Sequence, residues 1–325
     1  SEDYEDGVAD YLDAIDPEVQ VINNLTNIQN SIFVPHIPSL WNRRVNHDLP
    51  TPVDGAEDHI PAWIEMDEDE RDELDYHVHH LLTRPQKLRR GLRGFGVWVR
   101  TPMGFIMLTY GVLVAGWGIV IMLFIWKWID LHDPERQRWW EEICDRILCS
   151  LFAAIGIGFA PFRIVDTYRM IHIAHFHRLS WKRRKQLDLP KLSDPNDLPQ
   201  IIKEREDVVV LTPDEQATLS HHQRKLHQSH SFYRYHETAT HRAWPLDLLI
   251  TIVCLLDAHS MLQSCLVGVT AGIDYHVRPT SLTAGLIACS LSCNAVAGFL
   301  IYWGGRKTKK SEEVERRLKI AIEEE

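Results

Sequence analysis

The chain has 325 residues, a formal net charge of −10 and a mean hydropathy of −0.20, averages that suit a soluble protein of one or two domains. The distribution argues otherwise. The apolar residues gather into four blocks with the charge outside them, and about 20 apolar helical residues suffice to cross the hydrocarbon core. Residues 1–80 carry twenty Asp and Glu against Arg43, Arg44 and Arg71, which argues against nucleic acid as a partner, because that needs a basic surface.

In chain order, residues 1–65 form an acidic, Pro-interrupted N-terminal arm, expected to be extended and packed on something else. Its start, SEDYEDGVAD, lacks the basic and apolar regions of a cleaved signal peptide. Residues 66–102 follow as a helix over Met66–Thr83 and then a basic segment, KLRRGLRGFGVWVR. There Lys87, Arg89, Arg90, Arg93 and Arg100 alternate with apolar residues and Trp98. That mixture suits a helix lying on anionic lipid at the cytoplasmic face, or a simple positive-inside anchor.

The first span is 103–126, started by Pro102 and closed by Trp126, Lys127 and Trp128. The second, 147–162, reaches full length only by including Ile143 or Val165. The pattern after Phe162 lacks Pro and Gly, so this span continues as a helix into the next segment. Residues 166–243 then form a helical hairpin with a Pro-rich break at 187–200. Its second helix starts at Thr212-Pro213-Asp214-Glu215, with Thr as N-cap and Glu three residues on, and is expected to run to about Arg242. Spans three and four, 246–273 and 281–303, occupy the region 244–303, and 304–325 is a basic, then acidic tail. At 1.5 Å per residue the third apolar run measures roughly 42 Å, so it must tilt or project. The spans and flanking segments thus predict an all-α fold: a four-span transmembrane helical bundle with long cytoplasmic helical extensions and an acidic N-terminal arm.

Lys and Arg cluster before span one, after span two and after span four, while the loops 127–142 and 274–280 are poor in them. By the positive-inside rule both termini and the hairpin are cytoplasmic. Asn24-Leu25-Thr26 is a glycosylation sequon that this topology leaves unmodified. The six cysteines all fall within the later apolar blocks, where buried free thiols are expected rather than a disulfide framework.

Chemistry has few places to reside. His172 and His175 share a helical face, as do His227 and His230, and in a hairpin the two arms lie side by side. These are weak metal candidates, since the His-Glu-x-x-His helix and zinc-finger cysteine pairs are absent. No nucleophile, phosphate-loop or kinase signature occurs, so no cofactor and no enzymatic activity are expected.

The intramembrane polar residues Arg163, Asp166, Asp257, His259 and Gln263 say more. At 100° per residue, Ser260, Met261, Ser264, Gly268 and Gly272 fall within about 60° of Asp257, a stripe containing Gly-x-x-x-Gly. His259, Gln263 and Thr270 lie on the opposite side, so span three belongs at the centre of a bundle or between subunits. In span four Ala284, Ala288 and Ser292 form a small-residue ridge, and Gly285, Cys289, Cys293 and Ala297 another. Either ridge suits close packing, within one chain or between copies. Arg163 sits near the cytoplasmic end of span two and Asp257 about eleven residues into span three, an offset of over ~10 Å by helix rise. Asp247 is then the expected partner of Arg163 or Arg169, and Asp257 is expected to be protonated and hydrogen-bonded, or hydrated.

The strings GIGFAPFRIVDTYRMI (156–171), LLDAHSMLQSCLVGVTAGIDYHVRPTSLTAG (255–285) and CSLSCN (289–294) resemble an uncharacterised family of fungal integral membrane proteins. LTNIQNSIFVPHI (25–37) and GGRKTKK (304–310) look like it too. The resemblance implies a membrane protein and supplies no catalytic residues, but it gives weight to the acidic arm. Three functions compete: a non-enzymatic, homo-oligomeric membrane protein, with a pore as one form of it, a scaffold or auxiliary subunit docking a protein partner through the acidic arm, and a metalloenzyme using the hairpin histidines.

Overall fold

A computed structural model describes residues 6–33, 84–192, 194–199 and 208–323. The helix expected over Met66–Thr83 lies outside the described residues. Those described are helical, with no strand among them. Four helical stretches are long and apolar enough to cross a membrane, the composition of a multipass membrane protein.

The chain opens with α1 (Asp6–Ile15) and α2 (Pro17–Ile28), which runs on into a π turn at Gln29–Phe33. This corrects the extended arm expected there. Asp16 accepts from the Glu18 N–H and Pro17 takes the first helical position, so the acidic, Pro-marked sequence is a helix start rather than a breaker. Helix α2 lies against α3 (Arg84–Arg100) at two glycines. A Cβ on Gly94 would stand 2.5 Å from the Glu18 carbonyl oxygen, and one on Gly91 3.6 Å from Val21. Arg90 and Arg93 reach Asp16 and Glu18 at 3.1 and 3.4 Å.

Thr101 caps α4 (Pro102–Ile125), the first span. It stands at the edge of the bundle, with Phe105, Val112 and Ile119 facing outward. The second span begins earlier than its apolar block. Helix α5 (Pro134–Gly156) starts at an Asp133 cap and carries Glu142 and Asp145 inside the protein. Both carboxylates are met by Arg278 from the short loop after span three, at 3.0 Å for Asp145. A buried, paired charge is tolerated where an unpaired one is not. The chain breaks at Ile157–Phe159, where a Cβ on Gly158 would meet the Ala154 carbonyl oxygen, and resumes as α6 (Ala160–Gln186).

Helix α7 (Pro213–Ser229) opens with the expected capping box, Thr212 and Glu215 each bonding the other's backbone. It ends at Ser229, well before Arg242. The chain after it turns to bury Phe232, Tyr233 and Trp244, and the Trp244 N–H donates to the Arg234 carbonyl at 2.7 Å. Tertiary burial of aromatic side chains wins over local helix continuation.

Helix α8 (Leu246–Gly272) explains its own length. Leu249, Ile252, Val253 and Leu256 are enclosed by Met170 and Ile173 of α6, Leu219 and Leu226 of α7, Phe232 and Trp244. Burying each such side chain is worth about 1.5–3 kcal/mol. The first turns of the third apolar run are therefore enclosed by protein on these sides. Helix α9 (Thr280–Thr308) packs along α8, and α10 (Ser311–Glu323) returns to cover α1.

Candidate functional site

Span three stands between two polar contacts. On one side α8 meets the α5–α6 junction. The Ser260 hydroxyl donates to the Gly156 carbonyl at 2.7 Å, and Arg163 Nη1 donates to the Leu256 carbonyl at 2.8 Å and to Ser260 Oγ at 2.7 Å. Thr167 donates to Asp257 Oδ2, and the Arg163 charge attracts the same carboxylate. On the other side α8 meets α9. His259 Nδ1 pairs with the Ser290 carbonyl at 3.1 Å, Gln263 Nε2 donates to Ser290 Oγ at 2.7 Å, and Asn294 Nδ2 lies 3.3 Å from His259 Nε2. Close approach of α5 depends on Gly156, where a Cβ would sit 2.5 Å from both Cβ and Cγ of Gln263.

Arg163 therefore does reach the Asp257 turn. The expected offset counted both spans from one plane, whereas Leu256 and Ser260 of α8 stand level with Arg163 of α6. Asp247 is a partner of neither arginine: Arg169 donates to Asp166 at 3.0 Å and to Ser229 at 3.0 Å. Asp166 also faces His230 at 3.4 Å.

The N-terminal segment closes this junction. Arg163 Nη2 donates to the Ile32 carbonyl at 3.4 Å, Trp98 Nε1 to Gln29 Oε1 at 3.1 Å, and Asn30 and Asn27 both bond Ser231. Ile32 reaches α9, 3.6 Å from where a Gly298 Cβ would stand. The string NIQNSIF is thus an insert that touches α3, α6, α9 and the aromatic turn after α7. The resemblance at LTNIQNSIFVPHI gave this string weight, but its polar residues carry no catalytic spacing, so the sequence did not indicate which elements it touches.

A second network holds α1. Lys309 Nζ donates to Asp13 Oδ1 at 2.7 Å, His241 Nε2 lies 3.2 Å from Asp13 Oδ2, and Arg234 donates to Asp10 at 3.0 Å and to His241 Nδ1 at 2.9 Å. Burial opposes the Asp13 charge, but the His241 hydrogen bond and the Lys309 and Arg234 charges outweigh it and hold the carboxyl below the usual carboxylate range. Burial, reinforced by Arg234, pushes the His241 imidazole down to about 4. Both shifts are downward, so the folded state binds fewer protons than the unfolded chain and loses stability as pH falls. For His241 that loss runs from its ordinary 6.5 to about 4 and is on the order of 3 kcal/mol. Hydrogen exchange of α1, corrected for intrinsic rates, should therefore be much faster at about pH 4.5 than at about pH 7, with the α8 core unchanged. Equal protection at both values would contradict the network.

The hairpin histidines separate. His172 stacks on His222 with centroids 4.5 Å apart, His175 is exposed, His227 Nδ1 bonds the Tyr233 carbonyl at 2.6 Å, and His230 serves Asp166. Among the described residues no group of three or more His, Cys, Asp or Glu is placed to hold a metal ion. Of the cysteines, all free, Cys144 and Cys149 are buried as expected, whereas Cys254, Cys265 and Cys289 are exposed on α8 and α9. Lys87, Arg89 and Arg100 are exposed on α3.

Most small residues of α8 and α9 are exposed among the described residues, whereas Ala297 of the second ridge is buried in the core. Ser264, Gly268, Gly272, Ala284, Ala288 and Ser292 are exposed, and a Cβ added at Gly268, Gly272 or Gly285 would meet nothing within 4 Å. Among the described residues the stripe of α8 is covered by α5 and α6 at Asp257 and Ser260 and exposed at Met261, Ser264, Gly268 and Gly272.

Residues 97–173, which include span one, Gly156, Arg163 and Thr167, match the family described as "Protein of unknown function (DUF2985)". No curated protein and no solved structure matches the chain.

Proposed function

We propose that the chain is a non-enzymatic, homo-oligomeric membrane protein with both termini in the cytoplasm, its copies meeting through α8 and α9. One observation carries this reading. The polar residues of α8 are engaged inside the chain, while its small residues Ser264, Gly268 and Gly272, with Ala284, Ala288 and Ser292 of α9, face outward. Small residues on a lipid-facing helix let a second backbone approach closely, which is the main source of attraction between spans. The orientation draws on Arg178, Lys182, Arg183, Arg184 and Lys185 at the end of α6, on the side of both termini. A conduction path in such an assembly would run between copies, since the polar faces of each α8 are already occupied.

Native mass spectrometry of the detergent-purified chain is expected to give an oligomer, and mild oxidation is expected to join copies through the exposed Cys265 or Cys289. Gly268→Leu combined with Ala288→Leu should dissociate it at least about ten-fold more readily, on the order of 1.4 kcal/mol. A wild-type chain that stays monomeric at every concentration would overturn the reading.

A further inference from the structure

A cleft of about 380 Å³ lies between α2, α3 and α4. Its wall includes Leu25, Ile28, Trp98, Met107, Gly111 and Ala115, and among the described residues no charged side chain lines it. Two polar groups at its rim, Trp98 Nε1 and Gln29 Oε1, bond each other at 3.1 Å. From Met107 to Ala115 the cleft follows α4 for about 12 Å, close to one leaflet of a hydrocarbon core about 30 Å thick.

The helix above the cleft has three faces. Gly94 and Trp98 pack inward against α2. Next round the helix come Phe95, Leu88 and Leu92, 40, 66 and 62 % exposed, and then Arg89, Arg93 and Arg100. An exposed apolar face beside a basic one is the signature of a helix lying at the headgroup boundary. The cleft thus continues into an apolar strip and then into a row of cations.

We infer that this cleft seats one acyl chain of an anionic glycerophospholipid from the cytoplasmic leaflet, with Arg89 and Arg100 holding its phosphate. Charge complementarity selects the headgroup, because Arg89 and Arg100 are exposed and free of carboxylate partners among the described residues, whereas Arg90 is taken up by Asp16. The site adjoins α4 and is separate from the faces of α8 and α9 invoked above.

The test uses the full chain in detergent with added palmitoyl-oleoyl phosphatidylserine or phosphatidylcholine, read by native mass spectrometry. Wild type should retain one phosphatidylserine per copy at least ten-fold better than phosphatidylcholine. Gly111 has open space at its Cβ and lines the cleft, so Gly111→Leu fills it without a clash, and Ala115→Phe is a second way to fill it. Both should lower retention at least ten-fold. Gly116→Leu, on α4 but outside the cleft, should leave it unchanged. Arg89→Gln with Arg100→Gln should abolish the preference for phosphatidylserine. Equal retention of the two lipids by wild type, retention untouched by both filling variants, or equal loss in Gly116→Leu would each overturn the site. So would filling variants that change the oligomer instead of the lipid count, since the cleft would then belong to a contact between copies. The oligomer peak in the same spectra reports separately on assembly through α8 and α9.

Discussion

Replacing Arg163 by methionine should destabilise the chain more than any other single change at its polar junction. The guanidinium makes three directed bonds, to the Leu256 carbonyl, Ser260 Oγ and the Ile32 carbonyl, and lies beside the Asp257 carboxylate. Methionine keeps the volume and removes all of them, leaving the Leu256 and Ile32 carbonyls and the Ser260 hydroxyl without this donor. Each buried polar group left without its partner costs about 1–3 kcal/mol. The damage should not stay local, because the Ile32 contact joins the N-terminal insert to α6. Thermal unfolding in detergent should shift downward, and limited proteolysis should cut within residues 6–33 before it touches the spans. Lysine should recover less than half of the loss, since one ammonium cannot serve three acceptors set out for a planar fork. A methionine variant with wild-type melting and protection would mean that the bonds to Arg163 contribute nothing net.

The second large effect belongs to Gly156. Leucine there would place its Cβ 2.5 Å from two carbons of Gln263, a distance that forces α5 and α8 apart. Even one extra methylene in a packed core costs about 1–3 kcal/mol, and here the separation also breaks the Ser260 bond to the Gly156 carbonyl. The polar pairs of α8 with α9 hang on the same helix position. Gly156→Leu should therefore yield mostly aggregated protein on size exclusion. Gly118→Ala, with nothing within 4 Å of its Cβ, should be neutral or stabilising, as alanine favours a helix over glycine by about 1 kcal/mol. Equal yields from the two variants would remove Gly156 from the packing argument.

Helix content and the four spans were legible because apolar runs and caps are local signals: Pro102, Thr212 and Glu215 act where their positions in the chain indicate. The two polar faces of α8 were legible too, since helical spacing separates Asp257 from His259. What local pattern could not supply was depth. The reach of Arg163 depends on the register of α8 against α6, and that is decided by packing against Met170, Leu219 and Leu226, residues distant in sequence. The start of α5 was hidden for the same reason: Glu142 and Asp145 look like a loop until Arg278 is brought to them from another turn. The acidic arm read as extended because its carboxylates found their cations in α3, in the turn after α7 and at the end of α9.

That last pairing has a consequence for the order of assembly. Asp13 meets Lys309, 296 positions later, and Ser311 closes on the Ala14 carbonyl. Asp16 and Glu18 can meet Arg90 and Arg93 before any span is made, but Asp13 waits for Lys309, which follows every span. Until then Asp13 lacks that cation and α1 its cover from the C-terminal helix, so this end is one that a chaperone or protease can inspect. Docking of α1 reports that the whole topology has been completed: a chain with one span misinserted would present the C-terminal cations on the wrong side of the membrane and leave this end open.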